Sequence, residues 1–342
     1  MPGLGFLKGL VRKELAVDLG TANTLIYLQG EGVVLNEPTA ICLNGAGEAV
    51  AVGKEAKGYL GRTPPGLRAL RPMKDGVIDD FDAMSLLIRH LLQRAQRSKG
   101  ILPPRVVICV PSNITQMEKK AVLDAAHEAG IGRVHLLEEV MAAAIGAGLP
   151  LEEPTPRMVV DIGGGTTEAA VVAEMAYIAN DAVRVAGDEL DEAIQRWLQE
   201  EHGLAVGPNQ AERIKWEHGT AWELPGDRVA FSVTGKDLAT GQPRTVELLP
   251  AELRRAMMEP LEAISGVIVN LVGELDRADA RRVAEAGVTL VGGGALLKGI
   301  GRFLSESCGL PFTVVKDPFY TVVEGAGRCL EEFQRFRGVF LN

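Results

Sequence analysis

The chain has 342 residues, a net charge of -9, 46% apolar residues and only 5% aromatic residues. These values exclude a disordered chain, a coiled coil and a collagen-like repeat, and they predict a core-forming protein of about two domains. The acidic balance and the scarcity of aromatic stacking surfaces argue against nucleic acid as a partner. The four cysteines are widely spaced and form no CxxC pair, which argues against a zinc site and a disulfide framework. This cysteine usage favours a protein of the reducing cytoplasm.

The first feature in chain order is a basic, apolar segment at residues 1–13. It carries a charge of +3 and no acidic residue, whereas the remainder of the chain carries -12. On a helical wheel its apolar side chains fall within an arc of about 160°, which is typical of a short helix lying on a membrane surface. These residues are Leu4, Phe6, Leu7, Leu10 and Val11. We therefore predict a membrane-binding tail over residues 1–14, with a frayed terminus as the alternative.

An internal repeat is the most informative feature of the chain. Residues 15–28 read as an apolar strand, an Asp-apolar-Gly turn and a second strand, and residues 158–172 repeat this order. The aligned pairs are Asp18 with Asp161, Gly20 with Gly163 and Thr24 with Thr167. Two short strands around a glycine turn predict a hairpin rather than the strand-to-helix turn of a dinucleotide or Walker site. A duplicated hairpin predicts two similar lobes.

The remaining elements alternate between strands and helices, which predicts an α/β fold with mixed sheets. Thr115 and Glu118 form a capping box at the start of one helix, and Gly130 stands where that helix should stop. The predicted strands cover residues 104–110, 133–137, 229–233, 244–248 and 288–291. The predicted helices cover residues 116–129, 138–148, 187–202, 210–217 and 252–275. Residues 149–156 read as a linker between the two halves, and the apolar residues at 333–341 are expected to dock on the body.

Three glycine-rich turns predict a phosphate site. In the two hairpin turns, the absence of side chains lets backbone N–H groups approach phosphate oxygens. The third turn, at residues 292–294, follows a strand and precedes a predicted helix, whose N-terminus favours an anion. Asp18 and Asp161 repel phosphate, and at the strand ends they are expected to face Mg²⁺ through its waters. One such turn would more often be a plain hairpin, but two matched copies and a third turn favour a nucleotide.

The repeat and its neighbouring runs resemble the actin, heat-shock-chaperone and sugar-kinase ATPase superfamily and, within it, the bacterial actins. The matching runs are DLGTANTLIYLQGEGVVLNEPTA (18–40), LGRTPPG (60–66), RPMKDGVIDDFD (71–82), MAAAIGAGLP (141–150), VVDIGGGTTE (159–168), RVAGDELDEAI (184–194), AERIK (211–215) and VGGGALLKG (291–299). The resemblance implies an actin-like two-lobed ATPase fold with a duplicated mixed-sheet core and two smaller inserted subdomains. It implies a first lobe of residues 15–152 and 321–342 with a small subdomain at about 41–70. The second lobe would be 153–320, with its small subdomain at about 191–254.

The resemblance also implies a set of nucleotide-binding residues for ATP and Mg²⁺. Thr21, Ala22 and Asn23 would line the first phosphate loop, and Gly164, Gly165 and Thr166 the second. Gly293, Gly294, Ala295 and Leu296 would close over the adenine and the α-phosphate. Glu212 and Lys215 would reach the ribose and adenine. Without the resemblance, that pair would read as an ordinary ion pair on a solvated helix face.

Glu139 and Thr167 are the predicted catalytic residues. Glu139 stands at the start of an Ala-rich helix, where the family has a carboxylate, and would orient the attacking water. Val140 replaces the family's proline, so its φ angle is less constrained and the helix start can shift. The alternative is that Glu138 and Glu139 only stabilise the helix N-terminus through its dipole.

The resemblance implies an ATP-dependent, filament-forming cytoskeletal protein that organises cell-wall elongation and cell shape. Its partners would be further copies of itself, inner-membrane lipids and cell-wall elongation and morphogenesis proteins, with no nucleic acid. It would be cytoplasmic and peripheral on the inner face of the cell membrane. The alternatives are a small-molecule kinase with the same ATPase core, which would need an acceptor site, and a chaperone ATPase, which would need a substrate domain after its core.

Overall fold

The computed structural model of the chain describes residues 14–95, 105–225 and 227–341. The chain divides into two compact units. The first unit extends to residue 155 and also takes in residues 172–178 and 320 onward. The second unit comprises residues 156–171 and 179–319.

Strands and helices alternate through the described ranges. The strands are β1 (Leu15–Leu19), β2 (Asn23–Leu28), β3 (Gly32–Pro38), β4 (Ile41–Asn44), β5 (Ala49–Val52), β6 (Leu67–Leu70), β7 (Met73–Lys74), β8 (Val77–Ile78), β9 (Arg105–Val110), β10 (Arg133–Glu138), β11 (Arg157–Ile162), β12 (Thr167–Ala173), β13 (Ala176–Val183), β14 (Leu204–Ala205), β15 (Phe231–Asp237), β16 (Pro243–Leu248), β17 (Val288–Val291) and β18 (Phe312–Val314). The α-helices are α1 (Lys54–Lys57), α2 (Phe81–Ala95), α3 (Gln116–Glu128), α4 (Glu139–Gly146), α5 (Gly187–His202), α6 (Pro208–His218), α7 (Pro250–Ala256), α8 (Met258–Glu274), α9 (Arg277–Ala286), α10 (Ile300–Cys308) and α11 (Thr321–Glu331).

Two five-stranded sheets share one topology. Their strand orders are β10–β9–β1–β2–β3 and β18–β17–β11–β12–β13. In the first sheet β1 is parallel to β9 and β9 to β10, and in the second β11 is parallel to β17 and β17 to β18. The duplication read from the hairpins therefore extends to whole sheets, and the predicted α/β class with mixed sheets is confirmed. Smaller sheets have the orders β5–β4–β6, β14–β15–β16 and β7–β8.

The central strand of each large sheet is buried on both faces. In β1 and β11 nearly every apolar side chain is at most 3% exposed, as expected for parallel strands covered on both sides. Asp18 and Asp161 each stand one residue before the end of their strand and interrupt these apolar runs. A carboxylate in such a place is costly to bury, so its position calls for a function.

Local sequence signals set several of the helices as predicted. The Thr115 hydroxyl accepts a hydrogen bond from the Glu118 N–H at 3.2 Å, and the Glu118 carboxylate accepts one from the Thr115 N–H at 2.7 Å. This capping box begins α3, and Gly130 follows the helix with a positive φ of 90°. Helix α5 covers the predicted residues 187–202.

The predicted helix over residues 252–275 is wrong in one respect, because the chain forms two helices there. Helix α7 ends at Ala256, α8 begins at Met258, and the two are bent by 57°. Pro260 explains the break, since it lacks the N–H that would bond to the Ala256 carbonyl in a continuous helix. Among the described residues, no single helix has the length and apolar character to cross a membrane. Helices α7 and α8 have that length and apolar character only when they are taken together across their bend.

Some predicted boundaries also shift. The strand expected at 229–233 begins at Phe231, because its partner β16 ends at Leu248 and Leu249 already precedes helix α7. Helix α6 begins at Pro208, two residues before the predicted start, in keeping with proline at a first helical position. The predicted Ala-rich helix is shorter than 138–148, because its first residue belongs to β10. Pro104, the first residue of the strand predicted over 104–110, lies outside the described residues.

The apolar C-terminal stretch docks on the first unit, as predicted. Phe340 forms a β-bridge with Leu137, and the Leu341 N–H donates to the Leu136 carbonyl at 3.0 Å. Phe336 is buried. The end of the chain thus covers β10, which is otherwise an edge strand of its sheet.

His135 lies under this docked stretch, 4.9 Å from the ring of Phe333. Burial lowers the pKa of His135 below its usual range; Arg105 and Arg133 lower it further, while Glu14 opposes the shift. Below a pH of about 6.5 the unfolded chain takes up a proton that the folded state resists. The free energy of unfolding should therefore decrease as the pH is lowered.

His135→Gln should reduce that loss, measured as the urea unfolding midpoint between pH of about 7.5 and 5.5. The matched variant His127→Gln, at an exposed position of α3, should keep the wild-type pH dependence. An unchanged slope in His135→Gln would contradict this account.

Helices α4 and α11 pack closely through glycines. A Cβ atom on Gly325 would overlap the Ala142 carbonyl, and one on Gly146 would overlap the carbonyl of Thr321. We expect Gly325→Ala to lower the melting temperature, because forcing the helices apart costs about 1–3 kcal/mol and outweighs the better helix propensity of alanine. Gly266→Ala in α8, where nothing lies within 4 Å of the added Cβ, should instead raise stability by up to about 1 kcal/mol. A Gly325→Ala protein as stable as the wild type would refute this.

Candidate nucleotide-binding turns

The two predicted hairpins form. Turn 1 (residues 20–23) leads from β1 into β2, whose first residue is Asn23, and turn 2 (residues 163–166) joins β11 to β12. The first hairpin is antiparallel, with Leu19 opposite Thr24. A Cβ on Gly20 would lie 2.8 Å from the Asn23 carbonyl oxygen, and one on Gly163 would lie 3.1 Å from that of Thr166. A side chain would therefore displace the turn at Gly20 and crowd it at the equivalent Gly163.

Turn 1 is held by Thr39, the residue after the end of β3. Its hydroxyl donates to the Gly20 carbonyl at 2.7 Å, and its N–H donates to the Ala22 carbonyl at 3.0 Å. Because all peptide bonds described are trans, each carbonyl and the N–H of the next residue point in opposite directions. The N–H groups of Thr21 and Asn23 are therefore directed away from Thr39.

The side chains of turn 1 also have partners within the first unit. The buried Thr21 hydroxyl accepts from the Gly76 N–H at 3.0 Å. Since that bond uses only an acceptor position, the single hydroxyl hydrogen remains able to donate to a phosphate oxygen. Asn23 donates to the Asn36 side chain at 3.0 Å.

Turn 2 is held in the same manner by the start of α5. The Gly187 N–H donates to the Gly163 carbonyl at 3.3 Å, and the Asp188 N–H donates to the Gly164 carbonyl at 2.7 Å. Because these peptide bonds are also trans, the N–H groups of Gly164 and Gly165 point away from α5. The aligned glycines of the repeat, Gly20 and Gly163, thus both have their carbonyls tied back by a later element.

Thr167, the predicted second catalytic residue, is fully buried at the start of β12. Its hydroxyl donates to the Val185 carbonyl at 2.8 Å, so the only hydrogen-bonding capacity left to this oxygen is as an acceptor. Its catalytic role stays a prediction.

Lys215 of α6 reaches back to α5. Its Nζ donates to the Gly187 carbonyl at 2.5 Å and lies 2.9 Å from an Asp191 carboxylate oxygen. Burial raises the pKa of Asp191 to about 7; Lys215 lowers it, and the neighbouring acids Glu212 and Asp188 raise it. Lys215 therefore pairs with Asp191 of α5 and is 11% exposed, so it does not lie on a solvated face of α6.

The third glycine turn (turn 3, residues 292–296) packs on the end of β11. Gly292 has a φ of 85°, and a Cβ there would overlap the Asp161 carboxylate and the Ile162 carbonyl. A Cβ on Gly294 would overlap the Ile162 side chain. The predicted strand-to-helix turn is corrected in one detail: residues 293–296 form a single 3₁₀ turn, and α10 begins only at Ile300. Two left-handed glycines, Gly292 and Gly299, interrupt the helical path.

Three carboxylates have predicted roles at the site: Asp18 and Asp161 toward Mg²⁺, and Glu139 toward the attacking water. Asp18 is half-buried and burial raises its pKa to about 7, while Asp161 is 7% exposed. A carboxylate whose negative charge is disfavoured by burial gains from a nearby cation, so both residues fit Mg²⁺. The described residues contain no cluster of three or more His, Cys, Asp or Glu side chains that could cage a metal. Glu139 is half-buried and is the first residue of α4.

Of the remaining predicted site residues, some are described by the structure and others are not. Glu212 is half-buried in α6, and Leu296 is 60% exposed in turn 3. The predicted membrane residues Leu4, Phe6, Leu7, Leu10 and Val11 lie outside the described residues.

Four residues at these turns were not predicted from the sequence: Thr39, Gly76, Gly187 and Asp191. Their signal was weak, because each acts through a partner 19 to 55 residues away in the chain. The GDELD run at 187–191 was the strongest hint, since it places a glycine and an acid one helical turn apart.

Duplicated sheets of identical topology, paired hairpin turns and a third glycine turn define an actin-like α/β fold. The chain belongs to the MreB/Mbl family: the model of the MreB/Mbl protein family matches residues 12–338. It is 44% identical over 331 residues to the cell shape-determining protein MreB of Escherichia coli strain K12, covering 95% of each chain.

Solved structures agree with this assignment. Spiroplasma citri MreB5 bound to ADP matches with a TM-score of 0.89 and 29% identity, covering 96% of this chain and 99% of MreB5. The same protein bound to AMPPNP matches with a TM-score of 0.88. The MamK double helical filament matches with a TM-score of 0.79 at 22% identity, covering 94% of this chain and 99% of MamK, which supports the fold alone.

Proposed function

We propose that this chain binds ATP through turns 1, 2 and 3 and polymerises as a cytoskeletal protein that determines cell shape. One observation carries the nucleotide part: in both copies of the repeat, two backbone carbonyls are held by a later element, so that the N–H groups of Thr21 and Asn23 in turn 1, and of Gly164 and Gly165 in turn 2, point the other way. Backbone N–H groups directed to the same side of a turn form an anion site. That MreB5 is bound to ADP and AMPPNP in solved structures supports the same ligand class.

The binding residues proposed are those of the three turns and α6. Thr21 and the backbone of residues 164–166 would contact phosphate oxygens, while Glu212 and Lys215 would contact the ribose and adenine. Leu296, exposed in turn 3, would cover the base. Asp18 and Asp161 would hold Mg²⁺ through water, and that ion would neutralise phosphate charge.

Hydrolysis is proposed to depend on Glu139, with Thr167 in support. Phosphoryl transfer requires mainly positioning and charge neutralisation, so one carboxylate that orients the attacking water is sufficient. Because the Thr167 hydroxyl hydrogen is already donated to Val185, that oxygen would accept a hydrogen bond from the water rather than donate one.

Equilibrium dialysis with radiolabelled ATP tests the nucleotide proposal. One bound ATP per chain is expected in the presence of Mg²⁺, with displacement by ADP and AMPPNP. No detectable binding at about 1 mM nucleotide, a concentration at the upper end of usual substrate affinities, would overturn the proposal.

Filament assembly and cell-shape determination are proposed from the family. The E. coli relative is named as a cell shape-determining protein. ATP binding would favour the assembling form and hydrolysis would weaken the contacts between subunits. Cell-wall elongation and morphogenesis proteins are the proposed partners of such a filament.

Residues 1–13 are proposed to place the filament on the inner face of the cell membrane. Their +3 charge suits anionic lipid headgroups, and their apolar stripe suits the acyl boundary. One such tail binds weakly, but many copies along a filament add their affinities.

Deletion of residues 1–13 is expected to reduce co-sedimentation with phosphatidylglycerol vesicles by about tenfold or more and to leave ATP binding unchanged. Vesicles of zwitterionic phosphatidylcholine serve as the control, and the full chain should bind them less. Equal co-sedimentation of the full and shortened chains would assign membrane binding to another part of the protein.

A further inference from the structure

Helices α5 and α6 are joined by a buried ion pair between Lys215 and Asp191, and Asp191 has no part in the nucleotide contacts proposed above. The Lys215 ammonium lies 2.9 Å from the Asp191 carboxylate, and each side chain is only 11% exposed. Removing either charge would leave the other buried without its counter-ion, which is costly. The pair is therefore a strong constraint on the spacing of the two helices.

Gly187 connects this pair to turn 2. Its carbonyl accepts from Lys215 Nζ at 2.5 Å, while its N–H donates to the Gly163 carbonyl at 3.3 Å. A Cβ on Gly187 would lie 3.4 Å from Lys215 Nζ and 3.3 Å from the Gly163 oxygen, so a larger residue there would press on the Gly163 carbonyl and shift it by a few tenths of an ångström. The lysine and the turn are thus held by the two sides of one residue.

We propose that Asp191 is a positioning residue: it holds the Lys215 ammonium on Gly187 and so fixes helix α6 against phosphate turn 2. This inference rests on the proposed nucleotide site, because α6 carries the residues assigned to the ribose and adenine. Without the Asp191 charge, Lys215 would leave Gly187 for solvent, and the base side of the site would lose its fixed spacing from the phosphate side.

The charges around Asp191 make this pairing sensitive to pH near neutrality. Lys215 and Glu212 face it from α6, and Asp188 faces it from α5. Burial and the two acids raise the pKa of Asp191 to about 7, against the attraction of Lys215. As pH falls through that range the carboxyl takes up a proton, and its hold on the lysine weakens.

A double-mutant cycle tests the proposal through ATP affinity. Asp191→Asn is expected to weaken ATP binding about tenfold, and Lys215→Met at least as much. If Asp191 acts through Lys215, the double variant should bind no more weakly than Lys215→Met alone. Asp279→Asn, which removes the charge from an exposed ion pair with Arg282, is the matched control and should bind as the wild type does.

The pH profile of ATP affinity provides the second readout, and it needs only folded wild-type and Lys215→Met protein. As the pH is lowered from about 8 to about 6, the ATP affinity of the wild type should fall more than that of Lys215→Met. Comparing the two proteins removes the contribution of the nucleotide's own titration, which is the same for both. The inference would be overturned if Asp191→Asn bound ATP within about twofold of the wild type. It would also be overturned if Asp191→Asn weakened ATP binding as much in the Lys215→Met background as in the wild type, or if the wild type and Lys215→Met had parallel pH profiles of ATP affinity. Failure of the wild type to bind ATP would instead refute the proposed function.

Discussion

Gly292→Ala is expected to weaken ATP binding by about 100-fold and to lower the thermal stability of the protein. An alanine there would be strained at a φ of 85°, and its methyl group would overlap the Asp161 carboxylate and the Ile162 carbonyl. Relief of that overlap must displace either turn 3 or the end of β11, which leads into turn 2. Equilibrium dialysis with ATP and a thermal melt measure the two effects.

Gly301→Ala is the matched control for this substitution. It adds the same methyl group in α10, nine residues further along the chain, where the nearest atom is a Val314 methyl carbon at an ordinary 3.6 Å. It should bind ATP as the wild type does. Wild-type affinity in Gly292→Ala would show that turn 3 and the β11 end are not part of the nucleotide site.

Glu139→Ala is expected to bind ATP with nearly wild-type affinity but to hydrolyse it about 100- to 1,000-fold more slowly. The carboxylate stands at the first position of α4, outside turns 1, 2 and 3, so we expect its removal to leave the phosphate turns in place. Single-turnover phosphate release, measured beside ATP binding, separates the two steps.

Glu138→Ala provides the control that distinguishes catalysis from a general effect of charge at the helix start. Glu138 precedes α4, and burial raises the pKa of its carboxyl, while a side-chain hydrogen bond with Tyr177 lowers it. We expect it to hydrolyse ATP at the wild-type rate. An equal loss of hydrolysis in both variants would favour the helix-dipole alternative, and normal turnover in Glu139→Ala would move the catalytic role elsewhere.

The local elements of the fold could be predicted because their signals lie within a few residues of each other. The capping box of Thr115 and Glu118, and the glycine turns that join β1 to β2 and β11 to β12, all formed as expected. The repeat also led to the fold class, since a duplicated hairpin predicts two similar lobes, and the structure extends that duplication to two sheets of the same strand order.

Predictions failed where a local signal was given too little weight. The apolar pattern over residues 252–275 has helical spacing, but the missing N–H of Pro260 divides it into α7 and α8. Likewise, three successive glycines after β17 allow a tight 3₁₀ turn, so the expected helix begins only at Ile300.

The supports of the candidate site were beyond sequence reasoning because they join distant parts of the chain. Thr39 reaches back 19 residues to Gly20, and Lys215 reaches back 28 residues to Gly187. Threonine and lysine are common at exposed positions, and only the folded structure shows that these two hold backbone carbonyls. Single residues could be assigned to the turns, but the partners that orient them could not.

ATP-dependent sedimentation tests the central claim most directly. The full chain should form polymer that pellets with ATP and Mg²⁺ and should remain in the supernatant without nucleotide, while Gly292→Ala should remain there under both conditions. A wild-type chain that binds ATP yet never pellets, or that pellets equally with and without nucleotide, would contradict the account of an ATP-driven filament.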